Sequence, residues 1–218
     1  MLEQLTEFTG KISGLLWGSP LTLLILLGTG IYLTIRLRLV QVAGFKHSLQ
    51  LISGKYDRRD DSGEVSHFQA LSTALSATIG TGNIAGVATA ISLGGPGALF
   101  WMWVTAFIGM ATKFTECTLS LKFREVDADG RTAGGPMYTL LNGLKLKKTA
   151  MAFAVFALIA SFGIGNMVQA NYFVDGLEYL HHEAKNYSWV IGLVLAILVG
   201  LVIIGGVRRI ARDASTIV

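Results

Sequence analysis

Charge is scarce in this chain. Of its 218 residues only 15% are Asp, Glu, Lys or Arg and three are proline, while 52% are hydrophobic and the mean hydropathy is +0.55. That balance excludes an ordinary soluble domain and leaves an integral membrane protein. Cysteine is nearly lacking too. Cys117 stands alone, so no intrachain disulfide can form, and it is expected to be a small buried apolar residue. Two of the four histidines fall in the one tight cluster that invites a metal, His181-His182-Glu183, but neighbouring side chains on a helix point apart, and an exposed polar loop is expected there. No acid, base and nucleophile converge at one depth, which argues against a membrane enzyme. The N-terminus lacks the basic flank, short apolar core and cleavage site of a secretory signal, so its first helix is read as mature structure. The net charge of +4 is not gathered into one patch, which excludes nucleic acid as a partner.

What is present in quantity is long apolar sequence. Five segments are long enough to span a bilayer, at approximately 16–36, 68–93, 98–121, 150–174 and 188–207. They predict an all-α polytopic transmembrane helix bundle, a single transmembrane domain over residues 1–218. Alternating these spans from an outside N-terminus places fifteen Lys and Arg residues in the cytoplasm and two outside, with Lys113 inside a span. The predicted location is therefore the cytoplasmic membrane, with the lipid bilayer as partner and the end of this chain inside. Between the first two spans, Val42, Phe45, Leu49 and Ile52 recur at helical spacing, which predicts a short amphipathic helix lying at the interface or packed on the bundle ends. Asp57-Arg58-Arg59-Asp60-Asp61 reads as a solvated loop, and Asp127-Ala128-Asp129-Gly130 as a turn without the spacing of a calcium loop. Gly94-Gly95-Pro96-Gly97 and Gly134-Gly135-Pro136 set prolines near helix starts. Lys113 and Glu116 are three apart and expected to pair on one face.

The second segment is the least apolar and contains Ser76-Ala77-Thr78-Ile79-Gly80-Thr81-Gly82-Asn83. Two glycines and an Asn at mid-depth are tolerated only against protein or a wet cavity, because hydrocarbon satisfies no loose N–H or C=O. This is not a dinucleotide loop: the spacing to Gly86 is one residue too long and no strand precedes it. The segment predicts two half-helices, one ending near Thr78 and the next beginning near Asn83. The N–H end of the second suits a carboxylate and the carbonyl end of the first suits a small cation. A flexible kink, with glycine for close helix packing, is the alternative. Gln169 is a second polar residue at membrane depth and a candidate substrate contact, while Asn166 and Asn171 are expected to hydrogen-bond between helices.

The run Gly94-Gly95-Pro96-Gly97-Ala98-Leu99-Phe100-Trp101-Met102-Trp103 through Gly109 resembles the signature of the sodium:alanine (alanine or glycine:cation) symporter family. Gly80-Thr81-Gly82-Asn83-Ile84-Ala85-Gly86, Gly134 to Tyr138, Gly165 to Asn171 and Gly205 to Ala211 resemble it in matching order. The resemblance implies a leucine-transporter-like fold with an extra N-terminal helix, a discontinuous second transmembrane helix, and a chain amounting to an N-terminal portion of the whole. It further implies sodium-coupled symport of a small neutral amino acid, alanine or glycine, by alternating access. Thr81 and Gly82, within the segment Gly80 to Asn83, would hold the substrate carboxylate through backbone N–H groups. The Thr78 carbonyl and Asn83 would face one Na⁺, and Ser76 and Ile79 a possible second. No cofactor beyond the coupling ion is implied. A non-transporting fragment and a passive channel stand as alternatives.

Overall fold

Helix boundaries follow local signals in the sequence. The computed structural model describes residues 2–56, 65–128 and 132–217; the loop expected at Asp57–Asp61 and the end of the Asp127–Gly130 turn lie outside them. Helix α1 (Leu2–Trp17) stops at Gly18, and α2 (Pro20–Arg36) restarts with Ser19 accepting from the Leu21 N–H and Pro20 in the first position, where its missing N–H costs nothing. The two are bent by 41°. After left-handed Arg38 and Leu39 come the short helices α3 (Val40–Ala43) and α4 (Phe45–Ile52), over the stretch where an amphipathic helix is expected. A reciprocal capping box between Ser66 and Gln69 starts α5 (His67–Thr78). A π-helical turn (Gly82–Gly86) then leads into α6 (Val87–Lys122).

Helical bonding runs from Gly82 to Lys122, 41 residues, or about 60 Å at ~1.5 Å per residue. That is twice the ~30 Å of a hydrocarbon core. Gly95, at φ 61° and ψ −163°, breaks it ahead of Pro96, in a backbone region essentially restricted to glycine. A two-stranded antiparallel hairpin, β1 (Glu125–Val126) and β2 (Thr132–Ala133), follows. Then α7 (Pro136–Tyr138) enters a π-helical turn (Thr139–Gly143). Helices α8 (Lys147–Phe162) and α9 (Val168–Leu180) are joined by a third π-helical turn, Gly163–Met167. A 3₁₀ segment (His182–Tyr187) leads to α10 (Ser188–Ile203), and α11 (Gly206–Ile217) turns away from it by 111°. Among the described residues two helices, Gly82–Lys122 and Lys147–Leu180, are long and apolar enough to cross a membrane, or up to four when each bent pair is one span. The chain is an all-helical, multi-pass membrane protein apart from the small hairpin.

Close packing is made by small residues. The buried apolar positions among those described are Ala111, Ala150, Ala211 and Ala214, while large side chains such as Leu24, Phe156 and Ile197 are turned outward, as lipid-facing helices require. Helix α2 lies against α6 at buried Gly30, where a Cβ would collide with the Ile108 side chain and stand 3.3 Å from its carbonyl. Gln41 Nε2 reinforces this pairing, donating to Thr34 Oγ1 at 2.8 Å and to the Phe107 carbonyl at 3.1 Å. Helix α11 is amphipathic, with Val207, Ile210, Ala211 and Ala214 on one side and Arg208, Arg209 and Arg212 on the other. It packs on α5, whose own buried residue is Ser72. Cys117 corrects its expectation: it is exposed on α6, because the helix points that face away from its neighbours. Gly30→Val is expected to lower stability by about 1–3 kcal/mol through overpacking, read as a drop in the thermal unfolding midpoint. Gly28→Val, where a Cβ meets nothing within 4 Å, is the control expected to stay close to wild type.

Candidate functional site

Helix α5 makes its last regular bond from the Ile79 N–H to the Leu75 carbonyl, at 2.8 Å. Ile79 is then extended, at φ −76° and ψ 106°, which carries the chain off the helical path. The carbonyls that follow Leu75 therefore have no next turn to bond to. Beyond Gly80 the helix resumes two residues earlier than expected: Thr81 and Gly82 are already helical, and the Gly80 carbonyl accepts from the Asn83 N–H at 3.0 Å and the Ile84 N–H at 3.3 Å. The break is thus confined to Ile79 and Gly80. It sets the carbonyl end of one helix beside the N–H end of the next.

Two side chains close the gap. Asn83 Nδ2 donates to the Thr78 carbonyl at 3.0 Å, reaching across the break. The Thr78 hydroxyl donates instead to Ala74 in its own helix at 2.7 Å, so it is the carbonyl that faces Asn83. On the other side, the Thr81 N–H donates to Gln169 Oε1 at 3.3 Å, joining the break to α9 across 88 positions of sequence. Gly80 permits this approach: a Cβ there would stand 3.1 Å from Gln169 Nε2. The structure therefore brings Thr78 to Asn83, and Gly80 and Thr81 to Gln169. Ser76, Ile79 and Gly82 are exposed on the same segment, outside both pairs.

A cavity of about 500 Å³ opens beside the break, lined by Gly80, Thr81 and Gln169 and by apolar side chains including Ile84, Tyr172 and Phe173. Gly82 and Asn83 are not among its walls. Sequence reasoning missed the α9 portion of this wall, although the signal was available once Gln169 is chosen. Positions 172, 173, 176, 177 and 180 follow it at helical spacing and all line the cavity. The π-helical turn just before, which contains Asn166, resets the phase of that face by its wider turn. Asn171 departs from its expectation. It donates to Asp175 on the same helix at 3.1 Å rather than to a neighbouring helix, because an acceptor four residues on is within reach of its short side chain. Lys113 and Glu116 pair at 3.1 Å as expected, on an exposed face.

Chemically, the carbonyl end offers main-chain oxygen, with the Asn83 amide beside it, to a hard cation, and the helix start offers main-chain N–H to an anion. The profile of the Sodium:alanine symporter family matches residues 2–218. The chain is 50% identical over 97% of its length to the sodium/alanine symporter AgcS of Methanococcus maripaludis, covering 47% of that protein. It is 40% identical over its whole length to the probable sodium/glutamine symporter GlnT of Bacillus subtilis, covering 44% of it. It is 36% identical over 89% of its length to the amino-acid carrier protein AlsT of the same organism, covering 40% of it. The chain thus spans less than half the length of these relatives. No solved structure matches it significantly.

If Gly80 exists to admit the Gln169 amide, Gly80→Ala should expose the Thr81 amide to hydrogen exchange about five- to tenfold faster, the loss of one hydrogen bond of ordinary strength. Gly86→Ala, at a position with open space around a Cβ, should leave the Thr81 rate unchanged. Amide exchange followed by mass spectrometry on peptides covering residues 79–84 reads the difference.

Proposed function

The chain belongs to the sodium:alanine symporter family, and on that premise we propose that it carries one wall of the binding site of a sodium-coupled symporter for a small neutral amino acid, alanine or glycine. The site works within a leucine-transporter-like fold in the cytoplasmic membrane. One observation carries the reading: the Thr78 carbonyl and the Thr81 N–H, groups of opposite polarity, meet polar side chains on either side of a two-residue break. Sodium takes the Thr78 carbonyl and the Asn83 amide oxygen, with Ser76 and Ile79 carbonyls serving a second ion. The substrate carboxylate takes the N–H groups of Thr81 and Gly82. Gln169 contacts the substrate with its amide, and the apolar wall of Ile84, Tyr172 and Phe173 receives the side chain. Sodium and substrate together stabilise an occluded state between outward and inward forms, which is alternating access.

A second reading has its own observation. Asn83 and Gln169 are exposed, a placement hydrocarbon would not tolerate, and the chain covers 47% of AgcS. On this reading the 218 residues do not transport by themselves, and further protein supplies the opposite wall. A passive channel has less support, because among the described residues the polar groups at the site gather at one break.

The test is labelled alanine uptake into sodium-gradient proteoliposomes, comparing this chain with a chimera in which it replaces the matching part of AgcS. Uptake by the chimera alone supports the one-wall reading, and uptake by both shows the chain to be sufficient. Uptake that neither saturates nor needs sodium identifies a channel. In whichever form is active, Asn83→Ala should raise the sodium concentration for half-maximal uptake about tenfold, and Gln169→Ala should weaken alanine affinity about five- to tenfold, each the loss of roughly one polar contact. The exposed Glu7→Ala should change neither.

A further inference from the structure

We infer that two amides stand where ligands of this site would go, so that binding must exchange partners: Asn83 Nδ2 holds the Thr78 carbonyl in place of a cation, and Gln169 Oε1 holds the Thr81 N–H in place of a carboxylate. The inference rests on the binding roles proposed above and adds what those groups do before anything binds. At 3.0 Å from a carbonyl oxygen, the Asn83 atom must be the amide nitrogen, since its oxygen would set lone pairs against lone pairs. A sodium ion demands the reverse. It needs oxygen from both residues, so Asn83 must turn its amide over, releasing Thr78 and presenting Oδ1 to the ion.

The Thr81 side is the mirror image. Its N–H already has an acceptor in Gln169 Oε1 at 3.3 Å, the position a carboxylate oxygen would occupy. An incoming carboxylate displaces that oxygen, and the freed Gln169 amide presents Nε2, a donor, to the same carboxylate. Binding is therefore an exchange of partners at both ends of the break. With these two contacts neither Thr78 nor Thr81 is left unsatisfied, which membrane depth would penalise. The exchange also explains why neutral amides suit these positions: only a group with both donor and acceptor can hold the main-chain partner and, after turning over, meet the ligand. A carboxylate at position 83 could serve the filled state alone.

The test is thermal unfolding, in lipid nanodiscs, of the purified chimera in which this chain replaces the matching part of AgcS (wild type below), in sodium chloride and in choline chloride at equal ionic strength. Wild type is expected to unfold at a higher temperature in sodium. Asn83→Ala should lower the choline midpoint by about 1–2 °C, the loss of about one hydrogen bond in a protein of that size, and abolish the sodium increment. Asn83→Asp should lower the choline midpoint similarly and enlarge the sodium increment. Gln169→Ala should lower the choline midpoint and keep the increment. If both Asn83 variants match wild type in choline while altering the sodium increment, the ion site stands and the inference is overturned. If Asn83→Asp loses stability without gaining sodium response, Asn83 is a structural staple and the inference is again overturned. No sodium increment in wild type removes the ion site itself. Should the variants not fold, ¹⁵N-asparagine labelling of wild type decides: the Asn83 side-chain amide signal is expected to shift on adding sodium, and an unmoved signal overturns the inference.

Discussion

A main-chain polar group at membrane depth must find a partner within the protein. Everything distinctive about this chain follows from one place where the helix fails to provide it. Ile79 and Gly80 leave the helical path, so the Thr78 carbonyl and the Thr81 N–H lose the bonds that a continuous helix would make. Asn83 and Gln169 answer for them. One of these answers is local, five residues along the chain, and the other is tertiary, from α9. The position of α9 against the break is thereby tied to the chemistry of the break, and a cavity results between them.

The same economy of side-chain volume runs through the packing. With lipid outside there is no hydrophobic gain in burying a leucine, so helices associate where their surfaces let backbones approach. Gly30 does this for α2 against α6, and the pair Ala211 and Ala214 gives α11 a small-residue face toward α5. Helix α5 packs against α11, and its Thr78 end meets the site. Gly80 repeats the device at the site itself, where the approaching group is the Gln169 amide instead of a helix backbone.

The break was legible because its residues are anomalous for their surroundings: Ser, Thr, Gly and Asn inside an apolar run have few other uses. The end of α5 at Thr78 could be read from that contrast. Its restart could not be placed as well, since Thr81 and Gly82 are poor helix formers that the structure nevertheless holds in helical geometry. Helices α1 and α11 escaped the reading for a different reason. Each carries charge, such as Glu3, Glu7 and Lys11 or Arg208, Arg209 and Arg212, and an apolar-run criterion discounts amphipathic segments. Gln169 was legible as a polar residue at depth, but its partner was not, because Thr81 N–H and Gln169 meet only through the way α9 packs. Cys117 was misread by a general tendency of cysteine to be buried, which a helix with one face unpartnered by protein does not follow.

None of the residues gathered at the break is ionisable. Ser76, Thr78, Thr81, Asn83 and Gln169 offer dipoles and no fixed charge, and the Lys113–Glu116 pair is self-contained on α6. A lone cation at the carbonyl end would therefore bring an uncompensated charge to a place of low dielectric constant, where such a charge is costly. A lone carboxylate at the N–H end would do the same with opposite sign. On the proposed reading the two meet across a break only two residues wide, close enough for each to offset the other. A resident Asp or Glu would neutralise the ion without the substrate and so uncouple them. The neutral amides at 83 and 169 leave that task to the substrate's own carboxylate, and coupling between ion and amino acid then follows from electrostatics alone.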